Sequence, residues 1–366
     1  MLRSIMRRRL ALIALALAVL TTTAFAAPKN VIVLIGDGMG IGCVMAGRLG
    51  GPGRDGKLAV DTMPYTGFAK THSANRLVTD SAAAGTALAT GVKTKNSTIS
   101  LDPDGKKLKT ILELARDMGK STGIISTTSI VDATPAVFVA HAETRGKTED
   151  IAAQMVASRV DVVLGGGKRF FTPKSKDGVR GDERDLLAEA ATKGYKVFET
   201  AEAMAACKAP KYIGLFASGG MTSNRPEPTI AEMTAKAIST LSQNKKGFFM
   251  MAEGAKIDHE AHGNNKDGVV KEMVMFDDAV REALDFAKKD GQTLVIVTAD
   301  HETGCMAPLE PNDENPKFNA GWSTKGHSGN MVPVYAYGPG AERFTGTLDN
   351  TDIPKTIAKL WGKKLN

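Results

Sequence analysis

Apolar and polar positions divide this chain into two kinds of segment. Near-continuous apolar runs rich in β-branched residues lie at residues 31–35, 123–127, 160–164, 247–252, 293–298 and 332–337. Runs with no polar face predict strands buried on both sides. Between them, residues 108–118, 148–158, 229–241, 266–288 and 352–360 carry apolar residues at helical spacing. Strands alternating with helices predict an α/β fold, a three-layer α/β/α sandwich around a mostly parallel central sheet. Sheets of this kind bind ligands at the carboxyl ends of their strands.

The polar residues that interrupt the pattern sit at those ends. Asp37 follows the first run, Asp132 follows residues 123–131, Glu253 follows 248–252, and Asp300-His301 follow 293–299. Each alone reads as a turn residue or helix N-cap; four acidic strand ends together concentrate carboxylates on one edge. The chain has six histidines, and four of them, His259, His262, His301 and His327, fall in its last third. Asp258 and His262 are four apart and share a face if that stretch is helical. Oxygen and imidazole ligands without thiolates suit zinc in an open site. The zincin pattern H-E-x-x-H is absent, because His259-Glu-Ala-His262 is one residue short. Ser81 opens an alanine-rich stretch, Asp80-Ser81-Ala82-Ala83-Ala84-Gly85, that reads as a helix start aimed at an anion. Taken alone, Ser81 is an N-cap; beside metal-type residues it becomes a candidate nucleophile.

Composition changes this picture at the N-terminus. Arg3 and Arg7-Arg8-Arg9 precede an apolar run at residues 10–20 and Ala24-Phe25-Ala26, the form of a cleavable signal peptide over residues 1–26 with cleavage after Ala26. Eleven apolar residues fall short of the roughly 20 that span a bilayer. Export to periplasm or medium is expected, with the export route open, since the arginine cluster also reads as a weak twin-arginine signal. Removal of four arginines and no acid lowers the net charge from +7 to +3. That charge, with no basic block interleaved with aromatics, gives no sign of a specific nucleic-acid partner. Residues 27–366 read as a single domain, with surface excursions at 50–57, 171–183 and 309–326 and no linker. Cys43, Cys207 and Cys305 are odd in number and lack zinc-thiolate spacing.

In combination, Asp80-Ser81-Ala82-Ala83, Asp132-Ala133-Thr134-Pro135-Ala136 through to Arg145, Glu253-Gly254 with Asp258 and His262, Thr298-Ala299-Asp300-His301 and Gly326-His327-Ser328 resemble the alkaline phosphatases of the bacterial and animal type. The likeness spans nearly the whole chain after residue 26. It implies two zinc ions and one magnesium ion per chain, broad hydrolysis of phosphate monoesters through a phosphoserine at Ser81, and a homodimer. One zinc falls to Asp258, His262 and His327. The second falls to Asp37, Asp300 and His301 with Ser81, and magnesium to Asp37, Thr134 and Glu253. Arg145 takes the place of the phosphate-binding arginine. The short spacing from Asp300 to His327 implies a short or absent crown insertion near 303–326. Asp132 matches relatives that hold magnesium through water, and His259 matches those with histidine near the phosphate. A hydrogen bond between these two without catalytic effect is the alternative.

Charge supports the same assignment. Four carboxylates in one cleft are strongly unfavourable without cations. Three divalent ions and Arg145 balance them together with a phosphate dianion and a serine alkoxide, which favours monoesters over diesters. The C/S-x-P-x-R element of sulfatases does not surround Ser81, and superfamily diesterases usually carry threonine as nucleophile and lack a counterpart of Arg145. A non-catalytic phosphate- or metal-binding protein would not need Ser81 at a helix start. His72 and His141 are expected to be structural, and Phe318, Trp322 and Lys325 to lie on a surface loop.

Overall fold

The computed structural model describes residues 27–314 and 316–366. The expected signal peptide, residues 1–26, lies outside them. The strands are β1 (Asn30–Gly36), β2 (Tyr65–Lys70), β3 (Ser121–Ser129), β4 (Val162–Gly166), β5 (Lys196–Phe198), β6 (Tyr212–Leu215), β7 (Phe248–Gly254), β8 (Thr293–Thr298), β9 (Glu302–Thr303), β10 (Ala307–Leu309), β11 (Asn319–Gly321), β12 (His327–Ser328), β13 (Val332–Tyr337) and β14 (Gly346–Asp349). The helices are α1 (Ile41–Gly50), α2 (Ser81–Thr90), α3 (Ile111–Asp117), α4 (Ala133–Ala136), α5 (Thr148–Ala157), α6 (Leu186–Thr192), α7 (Ala201–Ala206), α8 (Ile230–Leu241), α9 (Lys256–His262), α10 (Lys266–Asp290) and α11 (Asp352–Leu360). None of these helices is long and apolar enough to cross a membrane.

Ten strands form one sheet in the order β14-β2-β13-β8-β1-β7-β3-β4-β6-β5. Among them only β13 runs against the rest, pairing antiparallel with both β2 and β8. The apolar runs at the centre are buried throughout: every residue of β1, β7 and β8 is covered. Helices cover both faces, giving the three layers. One layer contains α1, α8 and α10 and the other α2, α3, α4 and α11. Helix α10 shows why: Val269, Met273, Phe276, Val280, Ala283, Leu284 and Ala287 form its buried stripe. Burial of each larger side chain of that stripe contributes about 1.5–3 kcal/mol. Asn265 caps its start by accepting from the Gly268 N–H, and Gly291 ends it in the left-handed conformation at φ 67°. Thr110 with Glu113 and Thr229 with Glu232 form capping boxes on α3 and α8.

Register brings the site together. Ile35 pairs with both Glu253 and Thr298, and Ser126 pairs with Glu253, so the carboxyl ends of β1, β3, β7 and β8 lie level. Chain crossing from these ends to the following helices delivers Asp37, Asp132, Glu253 and Asp300 to one edge.

Candidate active site

Helix α2 supplies Ser81 as its first residue. Asp80 is the N-cap: its Oδ1 accepts from the Ala83 N–H at 3.0 Å and its Oδ2 from the Ser97 N–H at 2.9 Å. The alanines and Gly85 behind Ser81 are all buried, so the serine is fixed on a packed helix with the positive end of the dipole at its side. Ser81 itself is 4% exposed.

Three oxygens meet the Nε2 of His301: Ser81 Oγ at 3.1 Å, Asp300 Oδ2 at 3.3 Å and Asp37 Oδ1 at 3.4 Å. The loop after β1 makes this approach possible. Gly38 has φ +70°, and a Cβ there would lie 2.9 Å from Asp258. Its N–H donates to Asp300 Oδ1, which also accepts from the His301 N–H. That oxygen is therefore satisfied, whereas Asp300 Oδ2 and Asp37 Oδ1 are buried with no hydrogen-bond donor, as is Thr134 Oγ1. Asp258, His262 and His327 form a neighbouring trio, with Asp258 Oδ1 3.3 Å from His262 Nε2 and 3.7 Å from His327 Nε2. In each trio, one ligand atom from every residue lies within 4.8 Å of the others. The His301 and His327 rings stack at 3.6 Å.

The tautomers follow from the partners. His262 Nδ1 faces the Lys325 carbonyl, and His327 Nδ1 faces the Thr79 carbonyl at 2.9 Å. A carbonyl only accepts, so each Nδ1 carries the proton. Thr303 donates its hydroxyl proton to Asp258 and so accepts from His301 Nδ1 at 3.3 Å. All three rings thus present Nε2 lone pairs to carboxylate oxygens. Lone pairs facing lone pairs, with orphaned buried oxygens between them, fit a site built for cations.

Electrostatics agree. Burial, and then Asp300, Asp258 and Glu253, hold the Asp37 carboxyl well above its usual range. Burial likewise raises Asp300 and pushes Glu253 up to about 8, although Ser126 donates to Glu253 Oε2. Burial and the neighbouring His327 push His301 down to about 3, leaving it neutral. No lysine or arginine forms an ion pair with Asp37, Glu253, Asp258 or Asp300 among the described residues.

Arg145 stands at the rim, its side chain 33% exposed, with Nη2 2.6 Å from Asp132 Oδ1 and Nη1 3.9 Å from Asp80 Oδ2. Burial opposes its charge, but Asp132, Asp80 and Asp37 outweigh burial and hold the guanidinium above its ordinary value. Asp132 therefore engages Arg145 and caps α4 through the Ala133 N–H, with no hydrogen bond to His259. The His259 side chain lies exposed on α9 without a hydrogen-bond or ion-pair partner among the described residues.

Other expectations divide. His141 is structural: its Nε2 donates to the Leu108 carbonyl at 2.7 Å. His72 is half-exposed, 3.7 Å from Asp349. Phe318 is not a surface residue but 3% exposed, because its ring packs into the core under Lys266. Trp322 is half-buried against Gly304. Cys43 is buried, and all three thiols are free. Sequence patterns point to neither Thr303 nor Ser126, the hydroxyls that donate to Asp258 and Glu253; nothing local in Glu302-Thr303-Gly304 or Ser126-Thr127-Thr128 marks a partner so distant in the chain.

A family model described as alkaline phosphatase matches residues 28–312 and 306–362. Alkaline phosphatase 4 of Bacillus subtilis is 36% identical over 91% of this chain and 88% of its own length. The alkaline phosphatase structure from the Antarctic bacterium TAB5 superposes with a TM-score of 0.83 at 36% identity, covering 93% of this chain and 99% of that one. A variant of the TAB5 enzyme with a histidine replaced by aspartate, with Mg bound in its M3 site, gives a TM-score of 0.81 at 36% identity over the same shares.

Proposed function

This chain belongs to the alkaline phosphatase family and is a phosphomonoester hydrolase, and on that premise we propose an exported, metal-dependent enzyme that works through a phosphoserine at Ser81. The observation that carries this reading is the Ser81 Oγ, 3.1 Å from His301 Nε2 among the oxygens of Asp37 and Asp300. Asp258, His262 and His327 would hold one zinc, and Asp37, Asp300, His301 and Ser81 a second. Asp37, Thr134 and Glu253 would hold magnesium, with Asp132 acting through water. When bound, these ions lower the pKa of the serine hydroxyl and offset negative charge on the phosphoryl group and the leaving oxygen. The orphaned oxygens of Asp37, Thr134 and Asp300 support that donor set. The aspartate variant of the TAB5 enzyme, with Mg in its M3 site, is in line with an aspartate at the third site.

Ser81 attacks phosphorus in line, and the Oγ–P bond forms as the bond to the leaving alcohol breaks. Water then attacks the phosphoserine from the opposite side, releasing inorganic phosphate and returning Ser81. Helix α2 keeps the nucleophile in place and turns backbone N–H groups toward the anion. Arg145 binds two phosphate oxygens with its planar fork, and Asp132 and Asp80 aim that fork before substrate arrives. His259, exposed and unpaired beside Asp258, reaches phosphate through water. The polar groups of the cleft converge on the phosphoryl group, so broad specificity for the alcohol follows.

Cleavage after Ala26 would deliver residues 27–366 as one domain, with a short or absent crown near 303–326, to the periplasm or medium without a membrane anchor. A homodimer completes the proposal. The groove of about 570 Å³ lined by Ile41, Met45, Phe68 and Met331 offers an uncovered apolar surface for it. The decisive experiment is Ser81→Ala, expected to lower turnover of an aryl phosphate by at least about a thousandfold. Unchanged turnover would remove Ser81 from the mechanism.

A further inference from the structure

Glu302 follows the His301 ligand directly, is 6% exposed, and has no part in the reaction described above. Its Oε2 accepts three side-chain hydrogen bonds: from Ser328 Oγ, from Asn330 Nδ2 at 3.0 Å and from Cys305 Sγ at 3.1 Å. No cation neutralises it among the described residues. Its backbone pairs with Ser328 in the two-stranded β9–β12 ladder, where Thr303 pairs with His327. The side chain therefore ties the strand leaving Asp300-His301 to the strand carrying His327.

The same side chain runs beneath a third ligand-bearing loop. Gly40 ends the turn that begins at Asp37, and a Cβ on it would fall 2.3 Å from Glu302 Cγ and 2.9 Å from Oε1. Gly40 has φ −76°, an ordinary value, so the glycine is required by space and not by backbone conformation. The Asp37 loop can close onto the β9–β12 ladder only because Glu302 has room to pass under Gly40. Thr303 continues the join through its N–H, which donates to the Gly38 carbonyl at 3.1 Å.

We propose that Glu302 is a positioning residue that locks three ligand-bearing loops, Asp37–Gly40, Asp300–Glu302 and His327–Ser328, at the spacing zinc requires. This rests on the zinc reading given above. A buried carboxylate with three neutral donors is a costly way to bind two loops, since an apolar pair would do so without desolvating a charge. What the carboxylate adds is direction: one oxygen fixes Ser328, Asn330 and Cys305 at once. Groups that orient metal ligands set affinity by roughly 10- to 100-fold.

The test compares zinc affinity of the full-length mature protein, stripped and titrated against a chromophoric chelator, with the melting temperature of the metal-free form. Glu302→Ala should weaken zinc at least about tenfold, with activity recovered at excess zinc. Gly40→Ala, which crowds the same side chain from the other side, should shift affinity in the same direction. Glu302→Gln, which keeps an acceptor oxygen, should stay within a few-fold of the parent protein. Should Glu302→Ala fail to fold, Ser328→Ala removes one donor while keeping the carboxylate, and a several-fold weaker affinity is expected. Zinc affinity unchanged in Glu302→Ala, or in Ser328→Ala when the former does not fold, would overturn the proposal and leave Glu302 a stability residue. If the parent protein itself binds no zinc, the metal reading fails before Glu302 is reached.

Discussion

The hydroxyl of Thr303 donates to Asp258 Oδ1 at 2.5 Å. Through this bond, and its contact with His301 Nδ1, one buried side chain joins the Asp258 trio to the Asp37 trio. Replacing Thr303 by valine keeps the shape and removes the bond, leaving a carboxylate oxygen and a ring N–H unpaired at a cost of about 1–3 kcal/mol. We expect kcat/KM for an aryl phosphate to fall by about 10- to 100-fold in Thr303→Val, and by much less in Thr303→Ser. Equal losses in the two variants would show that packing, not the hydroxyl, matters there.

Arg145 is aimed by Asp132 and Asp80 while keeping a third of its side chain open to solvent. Arg145→Ala should remove about 2–4 kcal/mol of transition-state stabilisation, measured as kcat/KM on a monoester. Arg145→Lys should recover only part of it, because an ammonium cannot grip two oxygens in one plane. The loss should be smaller for a diester monoanion, and paired rates on both substrates at one pH check this.

The metal-free protein should lose stability as pH rises. Glu253 is raised to about 8 in the folded protein from an ordinary 4.5, so the folded state binds more protons than the unfolded state between those values and stability falls with pH. His301, lowered from 6.5 to about 3, acts oppositely, but only below 6.5. Between pH 6.5 and 8 the carboxylates act unopposed by His301, and Glu253 alone accounts for about 2 kcal/mol of loss. Urea unfolding of chelator-treated protein at these two pH values measures it, and Glu253→Gln should flatten the slope.

In the proposed mechanism Asp132 acts on magnesium through water. Asp132→His should reduce activation by added magnesium, read as activity against magnesium concentration in zinc-saturated protein. An unchanged magnesium curve would leave Asp132 with its Arg145 contact and its cap on α4.

The centre of the fold was legible in the sequence because its strands are buried on both faces. The apolar runs correspond to β1, β3, β4, β7, β8 and β13 within a residue or two at most ends. The outer strands were not. Strand β2 exposes Thr66, Phe68 and Lys70, β5 is three residues long, and β14 is half-exposed, so none carries an apolar run. Helix α1 was hidden by glycines at 42, 47 and 50, residues that oppose helix formation. Packing overrides that preference, since a Cβ at Gly42 would sit 1.8 Å from the Met306 carbonyl oxygen. The candidate ligands were legible because parallel strands leave their polar residues at one edge. Thr303, Ser126 and Glu302 were not, because what they do depends on partners 45, 127 and 26 residues away.

In the proposed mechanism Ser81 carries the phosphoryl group between substrate and water. Acid quenching during turnover of an aryl phosphate, followed by peptide mass spectrometry, tests it directly. One phosphate is expected on the peptide containing Ser81, lost in Ser81→Ala along with turnover. Steady hydrolysis with no phosphate on that peptide, or phosphate on a different residue, would contradict it.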